Sequence, residues 1–493
     1  MAKLTPWMCR VCPCLLLLAC DSADGTGGTG STSSSSSAQS SSGTGAAGGG
    51  GGGSSLPTVG EALSCGVADP VGGMAKGKDL ERHDLDLTVF PDALCNDGTG
   101  AVIYFRPFTG AANKNRWVVQ LLGGGSCNTG QDCADRWCGV GTNFSMTQMT
   151  SNVAPEGGTI ENGIFARRPD NPIGDFNQVL VRYCSSDAHA GRSRDVVVDA
   201  LVPGTTTPTQ FRMHFLGASI LDATLATLRG DGVPLLDFTI DGGSTPMPDL
   251  DDAELFVLAG ASAGGSGTIT NVDRVAAQLR TNHPGLNVVA LIDSILTPDR
   301  STLGYDKSSP CLQHGICDYQ SLMAAMSASR IYQLEPEESC AAWHAAHDPA
   351  NAFRCEDEGH LIRHHVTTPM FVRQGQKDSL LSSGVLDAGF GVAPGAASMT
   401  LDDYAGLIRT QAGLLPNLPT SAEEGAGVMV PPGVFSPTCP KHETLRSTPD
   451  VFDVTIEVGG IDRHFFDVVG NWAMKTTPSV AITPLGGVET CAP

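Results

Sequence analysis

The chain has few cationic residues for its length. Its 493 residues include 30 Lys and Arg against 52 Asp and Glu, so the formal net charge is −22. Nucleic acids and anionic membrane surfaces are bound largely through cationic side chains that neutralise phosphates. The charge therefore argues against both as partners, and solubility alone explains it.

The N-terminal apolar run, Val11–Ala19, is too short to cross a bilayer. It follows the positive charges of Lys3 and Arg10 and ends in Leu-Leu-Ala-Cys, which resembles the cleavage motif of bacterial lipoproteins. The pattern predicts a lipoprotein-type signal peptide over residues 1–20, with Cys20 lipidated and anchoring the mature protein to a membrane. A secretory signal that is cleaved without lipidation is the alternative.

Zinc-finger spacing is absent. Outside the leader no pair of C-x-x-C motifs stands at the distance of a zinc knuckle, although the chain has 16 cysteines. Without such a motif, so many cysteines are typical of an oxidising compartment. The twelve cysteines from Cys65 to Cys491 are an even number, which fits complete disulfide pairing. The sequence therefore predicts a disulfide-stabilised extracytoplasmic protein, lipid-anchored at the cell surface or facing the periplasm, or else secreted.

Residues 21–55 are almost entirely Gly, Ser, Thr and Ala. Such a segment cannot bury enough apolar surface to offset the entropy lost on ordering, and we expect a disordered tether. Residues 56–493 read as one domain, with neither a second linker nor an internal repeat.

Short apolar runs rich in β-branched residues recur through this domain. They are Ala101–Phe105, Trp117–Leu122, Gln178–Tyr183, Leu255–Leu258, Val288–Ile292 and Met370–Val372. Their near-continuous apolar character predicts strands buried on both faces, as in parallel sheets. Helical spacing lies between them, over Phe215–Leu228 and Ser266–Leu279. The alternation predicts an α/β fold with a mostly parallel central sheet and flanking helices, and ligands bind beyond the carboxyl ends of such strands.

The segment Gly260-Ala261-Ser262-Ala263-Gly264 joins a predicted strand to a predicted helix. In this G-x-S-x-G pattern a serine projects from a sharp turn as the nucleophile of α/β-hydrolases. The flanking small residues let strand and helix approach closely, and the helix N-terminus offers N–H groups to an oxyanion. We therefore predict an α/β-hydrolase-like fold with Ser262 as nucleophile and the Ala263 N–H as first oxyanion donor. Ser266 lies within the helix and is the weaker candidate.

Three glycines, Gly123, Gly124 and Gly125, directly follow the run that ends at Leu122. A loop without side chains after an early strand supplies the second oxyanion donor in lipases of this fold. Gly124 and Gly125 are therefore predicted to complete the oxyanion hole, and a plain tight turn is the alternative. Three cysteines follow closely and could fix the loop: Cys127, Cys133 and Cys138.

In this fold the acid and the histidine follow the serine in chain order. Asp378 follows the last strand-like run that has an acid at its end, and Asp293 is the rival, one strand after the serine. The histidines after Asp378 are His442, in a loop with a cysteine and prolines, and His464, beside an aromatic run where packing is its expected role. We predict that Asp378 and His442 are the partners of Ser262.

Three other histidines, His360, His364 and His365, precede Asp378, so chain order disfavours them as the base. Their spacing is compatible with metal ligation, but no recognisable ligand spacing links them to the acids just upstream. We expect neither a metal nor another cofactor.

Several separated segments together resemble the pectin acetylesterase and Notum family of carboxylesterases. They are LLGGGSC, VRYCSSDAHAG, FLGASI, GASAGGSGTITNVD, FVRQGQKDS and SPTCPKHE. The resemblance spans roughly residues 80 to 450 and implies a triad of Ser262, Asp378 and His442.

The resemblance also has departures, which border the acyl site. The family usually has an acid where Leu122 stands, an aromatic where Ser126 stands, and often Trp or Phe where His189 stands. The comparison implies that Ser126, Asp187 and His189 contribute to the substrate pocket.

The reaction that the resemblance implies is hydrolysis of an O-acyl ester, such as an acetyl group on an acylated carbohydrate or a longer acyl group on a protein. De-esterified pectin is a polyanion that so acidic an enzyme would repel, which disfavours pectin. A non-catalytic surface protein that binds carbohydrate or protein on the same fold is the alternative. Retention of all three predicted triad residues argues against it.

Overall fold

The structure is a computed structural model. It describes residues 76–140, 148–154, 162–240, 243–298, 303–305, 319–386, 390–391, 396–418, 430–487 and 489–491. The predicted signal peptide with Cys20 and the predicted tether lie outside the described residues. Within these ranges, no helix combines the length and the apolar character that crossing a membrane requires.

The strands form one large sheet and several small ribbons. In chain order they are β1 (Lys76–Asp84), β2 (Val102–Arg106), β3 (Arg116–Leu121), β4 (Asn177–Val181), β5 (Ser193–Leu201), β6 (Pro208–Phe215), β7 (Asp237–Ile240), β8 (Gly243–Pro246), β9 (Leu255–Ala261), β10 (Asn287–Asp293), β11 (Gly304–Tyr305), β12 (Met370–Arg373), β13 (Phe390–Gly391), β14 (Gly433–Ser436), β15 (Thr455–Val458), β16 (Ile461–His464), β17 (Val480–Ile482) and β18 (Glu489–Thr490).

The large sheet has nine strands in the order β1-β2-β4-β3-β9-β10-β12-β14-β17. Neighbouring strands from β4 to β17 are parallel, while β1, β2 and β4 pair antiparallel at one edge. The predicted α/β fold with a mostly parallel central sheet is confirmed.

The α-helices lie between these strands along the chain. They are α1 (Gly130–Cys138), α2 (Gly217–Leu228), α3 (Ala263–Asn282), α4 (Tyr319–Ser329), α5 (Glu338–His347), α6 (Glu358–His364), α7 (Ser379–Leu386), α8 (Leu401–Leu414), α9 (Thr448–Phe452) and α10 (Phe465–Ala473). Every predicted strand and both predicted helices are present, with ends shifted by at most three residues.

Alternate residues of β2, the second strand of the sheet, lie in two separate hydrophobic clusters. Ile103 and Phe105 of β2 pack with residues of α2 and α3, whereas Val102 and Tyr104 pack with residues of α9 and α10. Both faces of the sheet are therefore covered, which explains why its strands read as unbroken apolar runs.

The carboxyl ends of β3, β9, β10, β12 and β14 lie at one edge of the sheet, because these neighbouring strands are parallel. The last residues of these strands and the segments that follow them include the residues singled out from the sequence. In that order they are the loop of residues 123–125, Ser262, Asp293, Asp378 and His442.

Four disulfides join described residues, which confirms that the fold is disulfide-stabilised. They are Cys95–Cys184, Cys127–Cys133, Cys340–Cys355 and Cys439–Cys491. The second follows the glycine loop directly, and the fourth ties the segment that carries His442 to the C-terminal part of the chain.

Candidate active site

Ser262 forms the turn between a strand and a helix, since β9 ends at Ala261 and α3 begins at Ala263. Its backbone has φ 54° and ψ −129°, a conformation that persists in a non-glycine residue only where the surroundings enforce it. Its N–H donates to the Asp293 carbonyl oxygen at 3.0 Å, which fixes the turn. The half-buried side chain thus sits at the N-terminus of a 20-residue helix, where backbone N–H groups favour an anion.

Close backbone contacts explain the two glycines that flank this turn. A Cβ on Gly260 would lie 2.1 Å from the Gly264 carbonyl oxygen, and a Cβ on Gly264 would lie 2.1 Å from the Leu121 carbonyl oxygen. No side chain fits at either place unless α3 moves away from β9 and β3. The G-x-S-x-G spacing is therefore what the packing of this helix on these strands requires.

Asp378 and His442 form a hydrogen-bonded pair. Both carboxylate oxygens of Asp378 lie 2.9 Å from His442 Nδ1, so Nδ1–H donates and Nε2 is the basic nitrogen. Asp378 is fully buried and also accepts the N–H groups of Leu380 and Leu381 at 3.1 Å, at the start of α7. Among the residues that the structure describes, His442 Nε2 is buried and has no hydrogen-bond partner, which suits a base that receives a proton during reaction.

Asp293 connects the serine turn to the histidine loop. Its backbone carbonyl accepts the Ser262 N–H, while its Oδ2 accepts the Thr444 N–H at 2.6 Å, the Thr444 hydroxyl at 2.8 Å and the Leu445 N–H at 3.2 Å. The same buried carboxylate pairs with buried Arg373 at 3.3 Å. The rival acid is therefore a structural brace, and Asp378 is the acid in contact with the imidazole.

The other rival candidates have different contacts. Ser266 Oγ donates to Glu358 Oε1 at 2.7 Å and so joins α3 to α6. His464 is exposed, and its backbone N–H donates to Asp467 at the start of α10. The expectation that His464 packs with the aromatic run is wrong, because it caps the helix from which that run projects.

The glycine loop after β3 lies against the serine turn. A Cβ on Gly123 would lie 1.8 Å from Glu443 Oε1 and 2.6 Å from the last carbonyl oxygen of β9. Gly124 and Gly125 have φ of 143° and 67°, which other residues rarely adopt. The loop thus brings backbone without side chains beside the end of β9, next to Ser262, and Ala263 is the first residue of α3. A role for the N–H groups of Gly124, Gly125 and Ala263 in holding an oxyanion stays a prediction.

Asp187 and His189 are buried next to this loop. Asp187 accepts a neighbouring serine hydroxyl and the N–H groups of His189 and Gly217 at 2.6 to 3.0 Å, and burial raises its pKa to about 6. His189 Nε2 lies 2.9 Å from the Leu122 carbonyl oxygen, and burial lowers the pKa of the ring to about 4, so it is neutral and donates. Asp187 holds His189, and His189 holds the backbone at the start of the glycine loop, so these contacts stabilise the loop. A role in the substrate pocket stays a prediction for both, as for half-buried Ser126.

The charges around His442 act on its pKa in opposite directions. Burial alone would lower the pKa, but the hydrogen bond and charge of Asp378, together with Glu443 and Asp293, raise it above the usual 6.5. The imidazolium that forms when His442 takes a proton is therefore stabilised by its surroundings.

We expect the acid limb of the kcat/KM profile for an ester to lie above pH 6.5, because a raised pKa keeps His442 protonated there and only neutral imidazole acts as base. Glu443→Gln removes one of the charges that raise this pKa and should move the limb to lower pH. The control is Glu457→Gln, at an exposed residue of β15, which should not move it. An unmoved limb in Glu443→Gln would contradict the assignment.

The pectinacetylesterase family model matches this chain over residues 76–386. The matched range includes Ser262 and Asp378 and ends before His442. Human palmitoleoyl-protein carboxylesterase NOTUM is 30% identical over 228 residues, 46% of this chain and 38% of that protein. The notum1 protein of Xenopus laevis is 32% identical over 203 residues, 41% of this chain and 34% of that protein. The chain thus spans less than two fifths of the length of these curated relatives.

The fold is also similar to a solved structure. The Wnt deacylase Notum from Drosophila aligns with a TM-score of 0.52 and 24% identity, over 80% of this chain and 93% of that one. The family match covers well over half of the sequence, so the chain belongs to the pectinacetylesterase family.

Proposed function

We propose that the protein is a serine carboxylesterase that hydrolyses O-acyl esters through an acyl-enzyme on Ser262. The observation that carries the proposal is the link through Asp293, which ties the strained turn of Ser262 to the loop of the Asp378–His442 pair. The family and the carboxylesterase names of its relatives support the reaction class.

The reaction follows from the roles of these groups. His442 Nε2 takes the Ser262 hydroxyl proton as Oγ attacks the ester carbonyl carbon, and Asp378 stabilises the imidazolium. The N–H groups of Ala263 and the glycine loop hold the oxyanion, and one such donor contributes roughly 3–4 kcal/mol. His442 then protonates the leaving alcohol as its C–O bond breaks. Water, deprotonated by His442, then attacks the acyl carbon; the bond to Ser262 Oγ breaks, the carboxylic acid leaves, and His442 returns the proton to Oγ.

We propose an O-acetyl group on a polysaccharide of low charge as the substrate. The family description supports an acetyl ester, whereas the curated relatives are named for removing palmitoleoyl groups from protein. The net charge of −22 disfavours a polyanionic carbohydrate such as de-esterified pectin.

With p-nitrophenyl esters we expect kcat/KM to fall as the acyl chain is lengthened from acetyl to octanoyl, because a pocket that fits an acetyl group has no room for a longer chain. Acetate should be released faster from acetylated xylan than from acetylated pectin stripped of methyl esters. Ser262→Ala is the matched blank for each substrate. Rates that rise with chain length would contradict the acetyl assignment, and a wild type without esterase activity would favour a binding protein.

We further propose that the enzyme works outside the cytoplasm, tethered through lipidated Cys20. The four disulfides between described residues fit an oxidising compartment, while the anchor itself is inferred from sequence alone. Intact-mass analysis of the mature chain should find an acylated Cys20 as first residue. A mature chain that lacks Cys20 would contradict the anchor.

A further inference from the structure

Three imidazoles converge in the layer behind the nucleophile helix. His344 on α5, His360 on α6 and His365 just after α6 are each no more than 1% exposed. The Nε2 atoms of His344 and His365 both lie 3.2 Å from His360 Nε2. A tetrahedral ion with bonds of about 2.0–2.1 Å to nitrogen would hold two such atoms about 3.3 Å apart. Two of these nitrogen–nitrogen distances therefore already match those between metal ligands, and one ligand atom of each ring lies within 4.8 Å of the others.

We propose that His344, His360 and His365 bind one divalent transition-metal ion, of the zinc type, through their Nε2 atoms. Imidazole nitrogen is a preferred ligand of such ions. The site is separate from the ester-cleaving residues and does not depend on the proposed reaction.

Hydrogen bonds on the far side of two rings orient them for this role. His344 Nδ1 lies 3.2 Å from the Asp348 carbonyl oxygen and can only donate to it. The Ser339 hydroxyl donates to a Glu337 carboxylate oxygen at 2.8 Å, so it accepts from His365 Nδ1 at 3.3 Å. Both rings consequently carry their proton on Nδ1 and aim an Nε2 lone pair at His360, as metal-bound histidines do.

One proton cannot satisfy this arrangement. Neutral His360 carries at most one proton on Nε2, and two lone pairs face that atom. A metal ion would accept all three lone pairs at once.

Nearby charges act in both directions. Arg354 interacts electrostatically with His360 and His365 and would repel a cation. The carboxylates of Glu337 and Asp348 stand behind the two outer rings, the latter 3.9 Å from His344 Nδ1, and oppose that repulsion.

Cys340 lies in the same cluster, in which one ligand atom from each of the four residues falls within 4.8 Å of the others. It is joined to Cys355 in this structure, and a disulfide sulfur is a poor ligand compared with a thiolate. The proposed site therefore uses the three imidazoles with the disulfide closed.

A bound ion would join α5 to α6, and hydrogen bonds hold α6 and the segment after it to α3. Glu358 at the start of α6 accepts the Ser266 hydroxyl of α3, and Asp273 of α3 accepts the N–H groups of Thr367 and Thr368 at 2.7 and 2.8 Å. A bound ion would thus stabilise the layer packed on α3, and metal should raise the melting temperature.

The test uses the untagged, disulfide-intact protein, stripped with a chelator and titrated with Zn²⁺ or Co²⁺. We expect one ion per chain, a higher Tm with metal, and an imidazole shell at about 2.0–2.1 Å in the X-ray absorption spectrum of the zinc form. His360→Asn and His365→Asn should lose both the binding and the Tm shift. The control is His347→Ala, at an exposed histidine of α5, which should keep them.

Esterase activity and circular dichroism establish that each variant is folded. A wild type that binds no more metal than His360→Asn, or whose bound zinc lacks an imidazole shell, would overturn the proposal. The absorption spectrum needs only the wild type, so the test survives a variant that fails to fold.

Discussion

Ser262→Ala is expected to lower kcat for p-nitrophenyl acetate by about 10⁴- to 10⁶-fold, the loss found when a triad nucleophile is removed. The fold should survive, because the turn is held by the Ser262 backbone N–H and not by its hydroxyl. Single-turnover and steady-state rates, together with the unfolding midpoint, measure the two effects separately.

The matched control for this prediction is the next serine on the same helix. Ser266→Ala removes one hydroxyl that donates to Glu358 and should stay within about tenfold of the wild-type rate. If Ser262→Ala kept a comparable rate, the hydroxyl would not be the nucleophile.

Asp293→Asn should destabilise the protein by about 3–5 kcal/mol, because it leaves the buried Arg373 without its carboxylate partner. It also weakens the hydrogen bonds that hold Thr444 and Leu445, so kcat/KM should fall although Asp293 does not touch the substrate. Denaturant unfolding and ester kinetics on the same preparation give both values.

An exposed ion pair serves as the control here. Asp170→Asn breaks a pair with Arg168 whose side chains are 55% and 42% exposed, and a surface pair contributes only about 0–1 kcal/mol. Equal stability of Asp293→Asn and Asp170→Asn would show that the brace does not support the histidine loop.

Much of the architecture could be predicted because buried segments are recognisable in the sequence by their apolar residues. Strands that are covered on both faces consist of unbroken apolar runs. The glycines on either side of Ser262 are required because the backbone of α3 lies in close contact with β9 and β3. The pairing of Asp378 with His442 followed from chain order, since this fold presents its acid and base after successive strands at one edge.

The supporting contacts could not be predicted, because they join distant parts of the chain. Asp293 holds Thr444 from 151 residues away, and nothing near either residue signals the contact. The same holds for Glu443, whose carboxylate fills the space beside Gly123. A positive φ of 56° at Glu443 is visible only in the structure.

The histidine cluster shows the same limit. The spacing of His360, His364 and His365 is compatible with metal ligation, but the sequence predicts no metal because it shows no recognisable partner residue. The partner, His344, comes from a separate helix, and helix packing alone brings it to 3.2 Å from His360.

The central claim is that His442 and Asp378 activate Ser262, and that no other serine is reactive. Its most direct test is labelling of the active protein with a fluorophosphonate probe, followed by mass spectrometry of the peptides. We predict one label per chain, on Ser262, which is retained in Ser266→Ala and lost in Ser262→Ala. A label on any other serine, or an active enzyme that takes up none, would contradict the account.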